Sequence, residues 1–362
     1  MKNKIIAING EAWCHNLTGI ERLAIEVTNY LDEKFSPNQA ELVVPKNATN
    51  LPNLRNIKIV PLDVEAHFFP KWNQIDFQKY VLKKHRIPLD FSNSCPYFSP
   101  GFEFIHDIYA HLYKDDLKSS FRDKLIRLYS ETMYKRIAKK ARIIFTVSEY
   151  TKKTIVDSYK INPEKIKVVY SGVSALNQTA IDNSIFMARP KIKERKFYFT
   201  LGSLSVRKNL KWIARHAELY PKELFVISGK PLPSVVPPEL EKLKTLENVI
   251  MTGYLTDAQV KALMQSCKAF ILPSYFEGFG LPPLEALSCG AKIIISNTSC
   301  LPEIYGDAAY YIDPNEPNVD LDALLKTQVA SPNAILEKFT LKNTAMRIYN
   351  AIQTIQNGGS DI

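Results

Sequence analysis

Two carboxylates, Glu277 and Glu285, flank a stretch rich in glycine and proline inside the run Glu277–Gly290, EGFGLPPLEALSCG. Gly278 and Gly280 let backbone approach a ligand closely. Pro282 and Pro283 can open a helix, whose first N–H groups lack partners in any case. The apolar run Ala269–Ser274 before them suits a buried strand, and Gly290 suits a helix stop. A strand, a glycine loop and a helix start direct free N–H groups and the positive end of a helix dipole at one spot, which is an anion site. A phosphate there would meet the N–H groups around Phe279, Gly280 and Leu281. The acids suit hydroxyl partners instead, and a ribose diol and a sugar ring together describe a sugar nucleotide. For an isolated E-x7-E the ordinary reading is an acid favouring a helix N-terminus and a solvated loop glutamate. The strand–GFGLPP–helix setting favours the ligand.

Three further sets of residues have chemical types worth following. Gly202–Asn209, GSLSVRKN, lies between a strand and a helix and puts Arg207 and Lys208 where two fixed cations could hold a departing diphosphate. The apolar strand Phe102–Tyr109 ends in His106 and Asp107, at the end that faces ligands in an open α/β sheet. An isolated His-Asp pair is more often structural. Gly19 and Arg22 follow the first strand, Lys4–Asn9, and the loop Gly10–Thr18. There a glycine can fold over a ligand and an arginine can reach a phosphate, or both can be plain surface residues. The D-x-D at Asp320 and Asp322 precedes an apolar run and reads as a helix cap, so no catalytic metal is expected. His15, His67, His85, His111 and His216 lack ligand spacing.

The stretch around Glu277 resembles the E-x7-E signature of the retaining glycosyltransferases of family 4 (GT4), which have the GT-B fold. The similarity continues through Asn297–Glu303 (NTSCLPE) and Gly306–Pro314 (GDAAYYIDP), and is most specific from about Phe197 to Pro314. The resemblance implies a metal-independent hexosyltransferase that uses a nucleotide diphosphate sugar as donor and no cofactor, with mannose a weak lead. In it Arg207, Lys208 and the Phe279–Leu281 amides hold the diphosphate, and Glu285 holds the ribose. Glu277 holds the sugar and supports positive charge on it. His106 and Asp107 match the family's HD pair and close the site from the other domain. The leaving phosphate itself accepts the acceptor's proton in one family reading. This chain has Ser203 where some members carry a further arginine, and a single glycine at Gly19 where members often have more.

The elements that must carry these residues repeat in two halves. Strand candidates Glu41–Pro45, Ile57–Val60, Arg142–Val147 and Lys165–Ser171 follow the first strand. Residues 61–100 do not read clearly. Arg122–Lys140 and Glu149–Tyr159 are helix candidates, the second capped by Ser148. Phe197–Leu201, Leu224–Ser228, Val249–Met251 and Lys292–Ser296 are strands of the second half, alternating with helices at Asn209–Leu219 and Thr256–Cys267. Such alternation means parallel sheets. The expected architecture is α/β, two Rossmann-like doubly wound domains facing across a cleft. The acceptor-side domain is 1–172, with a linker over 173–196. The nucleotide-sugar domain is 197–340, and 341–362 is a helix that packs back on the first domain.

Bulk properties agree with this. The 362 residues exceed one ordinary core and fit two domains. The first apolar stretch is too short for a signal peptide, and no run approaches a membrane span. Five scattered cysteines without C-x-x-C spacing read as free thiols in a reducing cytoplasm. The net charge of +10 is uneven: residues 1–172 hold 27 Lys/Arg against 19 Asp/Glu, and the rest 20 against 18. Lys135, Arg136, Lys139, Lys140 and Arg142 concentrate five cations. The partners expected are a nucleotide sugar, a saccharide acceptor that is lipid-linked in one reading, and an anionic membrane surface. No nucleic-acid motif is present. Rival functions are a nucleotide-sugar epimerase, a phosphorylase and a non-catalytic binding subunit.

Overall fold

A computed structural model describes residues 4–14, 19–117, 121–173, 176, 179–193, 196–230 and 239–358. The chain forms two compact units. One comprises 1–112, 125–172 and 339–362, and the other 113–124 and 173–338.

The first unit is built on a seven-stranded sheet: β1 (Ile6–Asn9), β2 (Ala40–Val44), β3 (Lys58–Pro61), β4 (Ile87–Asp90), β5 (Phe102–Phe104), β6 (Ile143–Thr146) and β7 (Ile166–Val168). Their order is β3-β2-β1-β4-β5-β6-β7, and every pairing is parallel. Central strands of such a sheet are covered on both faces, which is why β1, β2, β4 and β6 are buried at every residue. The Gly19–Asp32 helix lays Leu23, Ala24, Val27 and Leu31 into this core. Leu341, Ala345, Ile348 and Ile352 of the Leu341–Gln356 helix join the same cluster. The carboxylate of Asp32 accepts from the amides of Arg55, Asn56 and Ile57 at 2.7–2.8 Å, tying the helix end to the approach to β3.

Two departures from the sequence reading have local causes. The strand expected over Phe102–Tyr109 stops at Phe104, and Tyr109–Leu112 is helical. Side chains compete there for backbone: Asn93 Oδ1 accepts the His106 amide at 2.7 Å and Asp107 Oδ1 accepts the Tyr109 amide at 2.9 Å. The stretch 61–100 contains β4, which Pro88 disguises, and a π-helix at Trp72–Phe77. The π-helix brings Asn73 Nδ2 within 2.8 Å of Asp90 Oδ2, and Trp72 Nε1 within 2.7 Å of Asn9 Oδ1.

The second unit has a six-stranded parallel sheet: β8 (Phe197–Leu201), β9 (Leu224–Ser228), β10 (Val249–Gly253), β11 (Ala269–Leu272), β12 (Ile293–Ser296) and β13 (Tyr310–Ile312), in the order β10-β9-β8-β11-β12-β13. The described part of 173–196, the expected linker, includes a short helix at Ser184–Ala188. It is bound to the Asp257–Ser266 helix through Lys261 Nζ to the Thr179 carbonyl (2.7 Å) and Gln259 Nε2 to Ser184 Oγ (3.2 Å). In both units the strand order reverses once, between β1 and β4 and between β8 and β11. Ligands of open α/β sheets bind at the strand ends beside such a reversal.

The Leu341–Gln356 helix joins the first core through its packed apolar face, with Arg347 and Gln356 adding bonds to the Val169 and Lys4 carbonyls. Ile348→Ala should therefore cost about 2–5 kcal/mol, measured as a lower urea midpoint with the slope unchanged. An unchanged midpoint would remove this helix from the core.

Candidate functional site

The loop after β8 and the loop after β11 meet at the reversal in the second sheet. Gly202 leaves β8 with φ +143°, a conformation that favours glycine, and the chain turns through Val206–Lys208 into the Leu210–Leu219 helix. Asn209 makes that turn in the left-handed region, which asparagine tolerates. Its side-chain oxygen caps the helix at the Trp212 amide (3.3 Å). Its Nδ2 donates to the carbonyls of Pro273 (3.0 Å) and Pro314 (2.8 Å). One buried side chain thus fastens the β8 loop to the ends of β11 and β13. The Arg207 carbonyl accepts the Tyr275 amide at 2.9 Å and closes the junction.

Arg207 and Lys208 converge on Glu277. Lys208 Nζ lies 2.7 Å from Glu277 Oε1, and Arg207 Nη1 lies 3.2 Å from Oε2. Ser274 Oγ donates to Oε1 at 2.7 Å. The Glu277 amide donates to Ser299 Oγ at 3.1 Å, and Cys300 Sγ donates to its carbonyl at 3.2 Å. Glu277 is 4% exposed and Lys208 8%. Each carboxylate oxygen accepts about two bonds, so Oε1 is filled and Oε2 keeps room for one more donor. Burial by itself raises the Glu277 carboxyl, but Lys208 and Arg207 overcome it and hold the group below its usual range. Burial, helped by Arg207, pushes Lys208 down against the pull of Glu277. The ionised carboxylate between two cations is the consistent state.

The Leu281–Ser288 helix starts next to this cluster. Gly280 precedes it at φ +86°, and a Cβ there would lie 2.6 Å from Leu301 Cδ2. The buried Tyr305 hydroxyl donates to the Gly280 carbonyl, and Phe279 is buried. Glu285 sits one turn into the helix, half-buried. Arg207, Lys208, Glu277, Phe279, Gly280, Leu281 and Glu285 therefore all lie on the two segments that meet at the strand reversal. Sequence reasoning passed over Asn209, Ser274 and Ser299, although all three fall in or beside the runs it used. Nothing in a run of residues says which amide or hydroxyl will point inward.

Asp320 and Asp322 are not a paired acid site: Asp320 caps Leu321–Leu324, accepting from the Ala323 amide at 2.8 Å, while Asp322 pairs with Lys268 and accepts from the Tyr198 hydroxyl.

His106, Asp107, Gly19 and Arg22 belong to the first unit. Gly19 opens the Gly19–Asp32 helix and Arg22 lies in its first turn. Residues 15–18 of the preceding loop, including His15, lie outside the described residues. His106 stacks on Phe104 at 5.2 Å, and its Nε2 is 2.6 Å from the Phe91 carbonyl. A carbonyl only accepts, so Nε2 carries the proton, an assignment made from the bonding network. Burial pushes this imidazole below its ordinary value, against the Phe91 bond, Asp107 and Glu21. The neutral ring then has its lone pair on Nδ1, able to accept from a hydroxyl.

Residues 18–175 match the family model described as Glycosyltransferase Family 4, and residues 182–328 match Glycosyl transferases group 1. The two halves of the chain thus each match a glycosyltransferase family model. It is 28% identical over 193 residues to the O-antigen chain mannosyltransferase B of Escherichia coli, covering 51% of this chain and 50% of that protein. It is 33% identical over 190 residues to a serotype-specific mannosyltransferase WbdA of Escherichia coli, covering 49% of this chain and 23% of that protein. With the O-antigen chain mannosyltransferase RfbU of Salmonella typhimurium it shares 26% over 216 residues, covering 59% of this chain and 56% of that protein. The chain thus spans about half the length, or less, of these relatives. Among solved structures it resembles WaaG, a glycosyltransferase involved in lipopolysaccharide biosynthesis (TM-score 0.64, 15% identity, 98% of this chain and 99% of that one). It also resembles Anabaena Alr3699/HepE in complex with UDP-glucose (TM-score 0.68, 14% identity, 97% and 100%). At this identity the likeness establishes the fold, GT-B.

Lys208→Met should leave Glu277 short of its main counter-charge and cost about 3–5 kcal/mol of stability. Adding Glu277→Gln should restore part of that loss, a coupling read from a double-mutant cycle in urea. The pH dependence has a definite sign. A carboxyl with a lowered folded-state pKa adds stability that is present above its unfolded value, near 4.5, and lost as pH falls through the lower folded value. Glu277→Gln should flatten the acid limb of the stability curve in that window, and parallel curves would refute the ionised pair.

Proposed function

We propose that this chain is a retaining glycosyltransferase. It moves a hexose from a nucleotide diphosphate sugar to a hydroxyl of a saccharide acceptor, in surface polysaccharide or glycoconjugate synthesis. The observation that carries this is the buried Arg207–Lys208–Glu277 cluster beside a helix N-terminus at the strand reversal. Arg207, Lys208 and the Phe279–Leu281 amides bind the diphosphate and stabilise the charge that develops as it leaves. Gly19 and Arg22 are assigned to the same phosphates. Glu285 accepts from the ribose. Glu277 has two linked tasks: it orients the two cations, and its remaining Oε2 capacity takes one sugar hydroxyl and supports positive charge on the reacting carbon. His106 and Asp107 are assigned to the donor sugar, which His106 can meet through Nδ1.

Mannose is favoured as the sugar, because three of the relatives above are named mannosyltransferases. The acceptor is read as lipid-linked, met at an anionic membrane surface on the cytoplasmic side. The basic cluster Lys135–Arg142 supports that reading, and among the described residues no helix is long and apolar enough to cross a membrane.

A thermal-shift panel of GDP, UDP, GDP-mannose and UDP-glucose tests the donor. The true donor should raise the melting temperature in a concentration-dependent way, and no response to any nucleotide would remove the reading. Glu285→Ala should weaken nucleoside diphosphate binding by about 1.5–3 kcal/mol, and unchanged affinity takes Glu285 off the ribose. Because Arg207 and Lys208 supply the positive charge at the diphosphate, turnover should survive EDTA; loss on chelation with recovery on adding magnesium or manganese would overturn that arrangement.

A further inference from the structure

The Leu210–Leu219 helix fastens the chain that leaves β13 along one of its sides. Asn209 Nδ2 donates to the Pro314 carbonyl (2.8 Å), Trp212 Nε1 to those of Asp313 and Glu316 (both 3.1 Å), and His216 Nδ1 to that of Pro317 (2.7 Å). The two acids of this segment are turned onto its own backbone. Asp313 Oδ1 accepts the Asn315 amide at 2.7 Å, and Glu316 Oε1 accepts the Asn318 amide at 2.9 Å. Between this fixed wall, the helix and Tyr275 lies a cavity of about 300 Å³. It is separate from the donor cluster, since Arg207, Lys208, Glu277 and Glu285 do not line it. Lys211 and Arg215, one turn apart on the helix, do line it. No carboxylate does, and neither cation forms an ion pair among the described residues. Two more lining groups, the Tyr275 hydroxyl and the Asn315 side-chain amide, have no hydrogen-bond partner among the described residues.

A lysine and an arginine without counter-charge beside a preformed hollow suit an anion. Two positive charges match a phosphomonoester, which carries nearly two negative charges at neutral pH, better than a diester with one. The hollow is at the small end of ligand sites, so it has room for one ring and its phosphate rather than for a nucleotide. We infer that it is a second ligand site, for a sugar phosphate, with Lys211 and Arg215 on the phosphate and Tyr275 and Asn315 on sugar hydroxyls. The site also bears on the donor cluster. Asn209 lines the cavity and fastens the β8 loop, and the Tyr275 amide holds the Arg207 carbonyl at 2.9 Å. A ligand that fixes these two residues fixes the loop that aims Arg207 and Lys208, so it strengthens nucleotide binding, and a nucleotide strengthens its binding equally. This coupling rests on the donor reading above, whereas the second site does not.

The test is calorimetric titration of the full chain with mannose 1-phosphate, mannose 6-phosphate, mannose and inorganic phosphate. At least one sugar phosphate should bind more tightly than mannose or phosphate alone. Lys211→Gln with Arg215→Gln should weaken that binding about tenfold. The melting temperature without ligand should not change, because both side chains are exposed. Arg207→Gln should leave sugar phosphate binding in place. If Arg207→Gln abolishes it and the double variant does not, the ligand lies in the donor pocket and the second site is overturned. If inorganic phosphate binds as tightly as the sugar phosphates, the sugar is overturned and a bare anion site stands. If none of the four binds, the inference falls, whatever the donor panel shows. The nucleoside diphosphate that responds in that panel should bind about fivefold more tightly with the sugar phosphate saturating, and equal affinity overturns the link to Arg207. A sugar phosphate that binds a chain on which no nucleotide acts upholds the second site and removes the donor reading.

Discussion

A carboxylate taken out of water survives as an anion only if opposite charge and hydrogen-bond donors replace the water it lost. Glu277 meets that condition with Lys208, Arg207 and the Ser274 hydroxyl, while Ser299 and Cys300 hold its backbone. The second unit's loops are arranged to satisfy it. The β8 loop must bring its two cations to the end of β11, so Asn209 binds the carbonyls at the ends of β11 and β13. The chain after β12 must return under Glu277, so Ser299 takes a left-handed turn at φ 53°. A loose version of any of these would leave a buried charge uncompensated.

The same cluster bears on function through its electrostatics. Glu277 offsets one of the two positive charges of Arg207 and Lys208 and fixes the direction of both. An incoming anion finds positive charge already fixed in direction and partly shielded from water, so little reorganisation is required when charge develops on the leaving group. On the proposed reading Glu277 serves the nucleotide side, through the two cations it orients, and the sugar side at once.

The first unit solves a different problem at its own strand reversal. Asp90 at the end of β4 is buried without a cation. Burial pushes its carboxyl up, against bonds from Ser92, Asn9 and Asn73. The π-helix at Trp72–Phe77 carries Asn73 and Trp72, whose side chains bond Asp90 and Asn9 at these strand ends. Neutral amide donors rather than lysines surround this acid, and it reads as architecture. The contrast with Glu277 is in the counter-charge, since both acids are buried.

Much of this was legible without coordinates. Apolar runs of four to six residues alternating with 3.6-period helices dictated two parallel sheets, because only strands covered on both faces read that way. The GFGLPP run dictated a tight loop and a helix start, because glycine and proline act on the backbone locally. The early end of β5 was not legible because the Asn93 side chain competes for the His106 amide, β4 because Pro88 interrupts its apolar pattern, and the π-helix because its side-chain partners Asn9 and Asp90 come from other strands. Only the tertiary structure decided that Arg207 and Lys208 pair with Glu277, about seventy residues away, and that Asn209 is the residue fastening them. Residue type and spacing settle which conformations a segment can adopt. Which charges share a buried volume is settled by the order of the strands, and that is a property of the folded sheet.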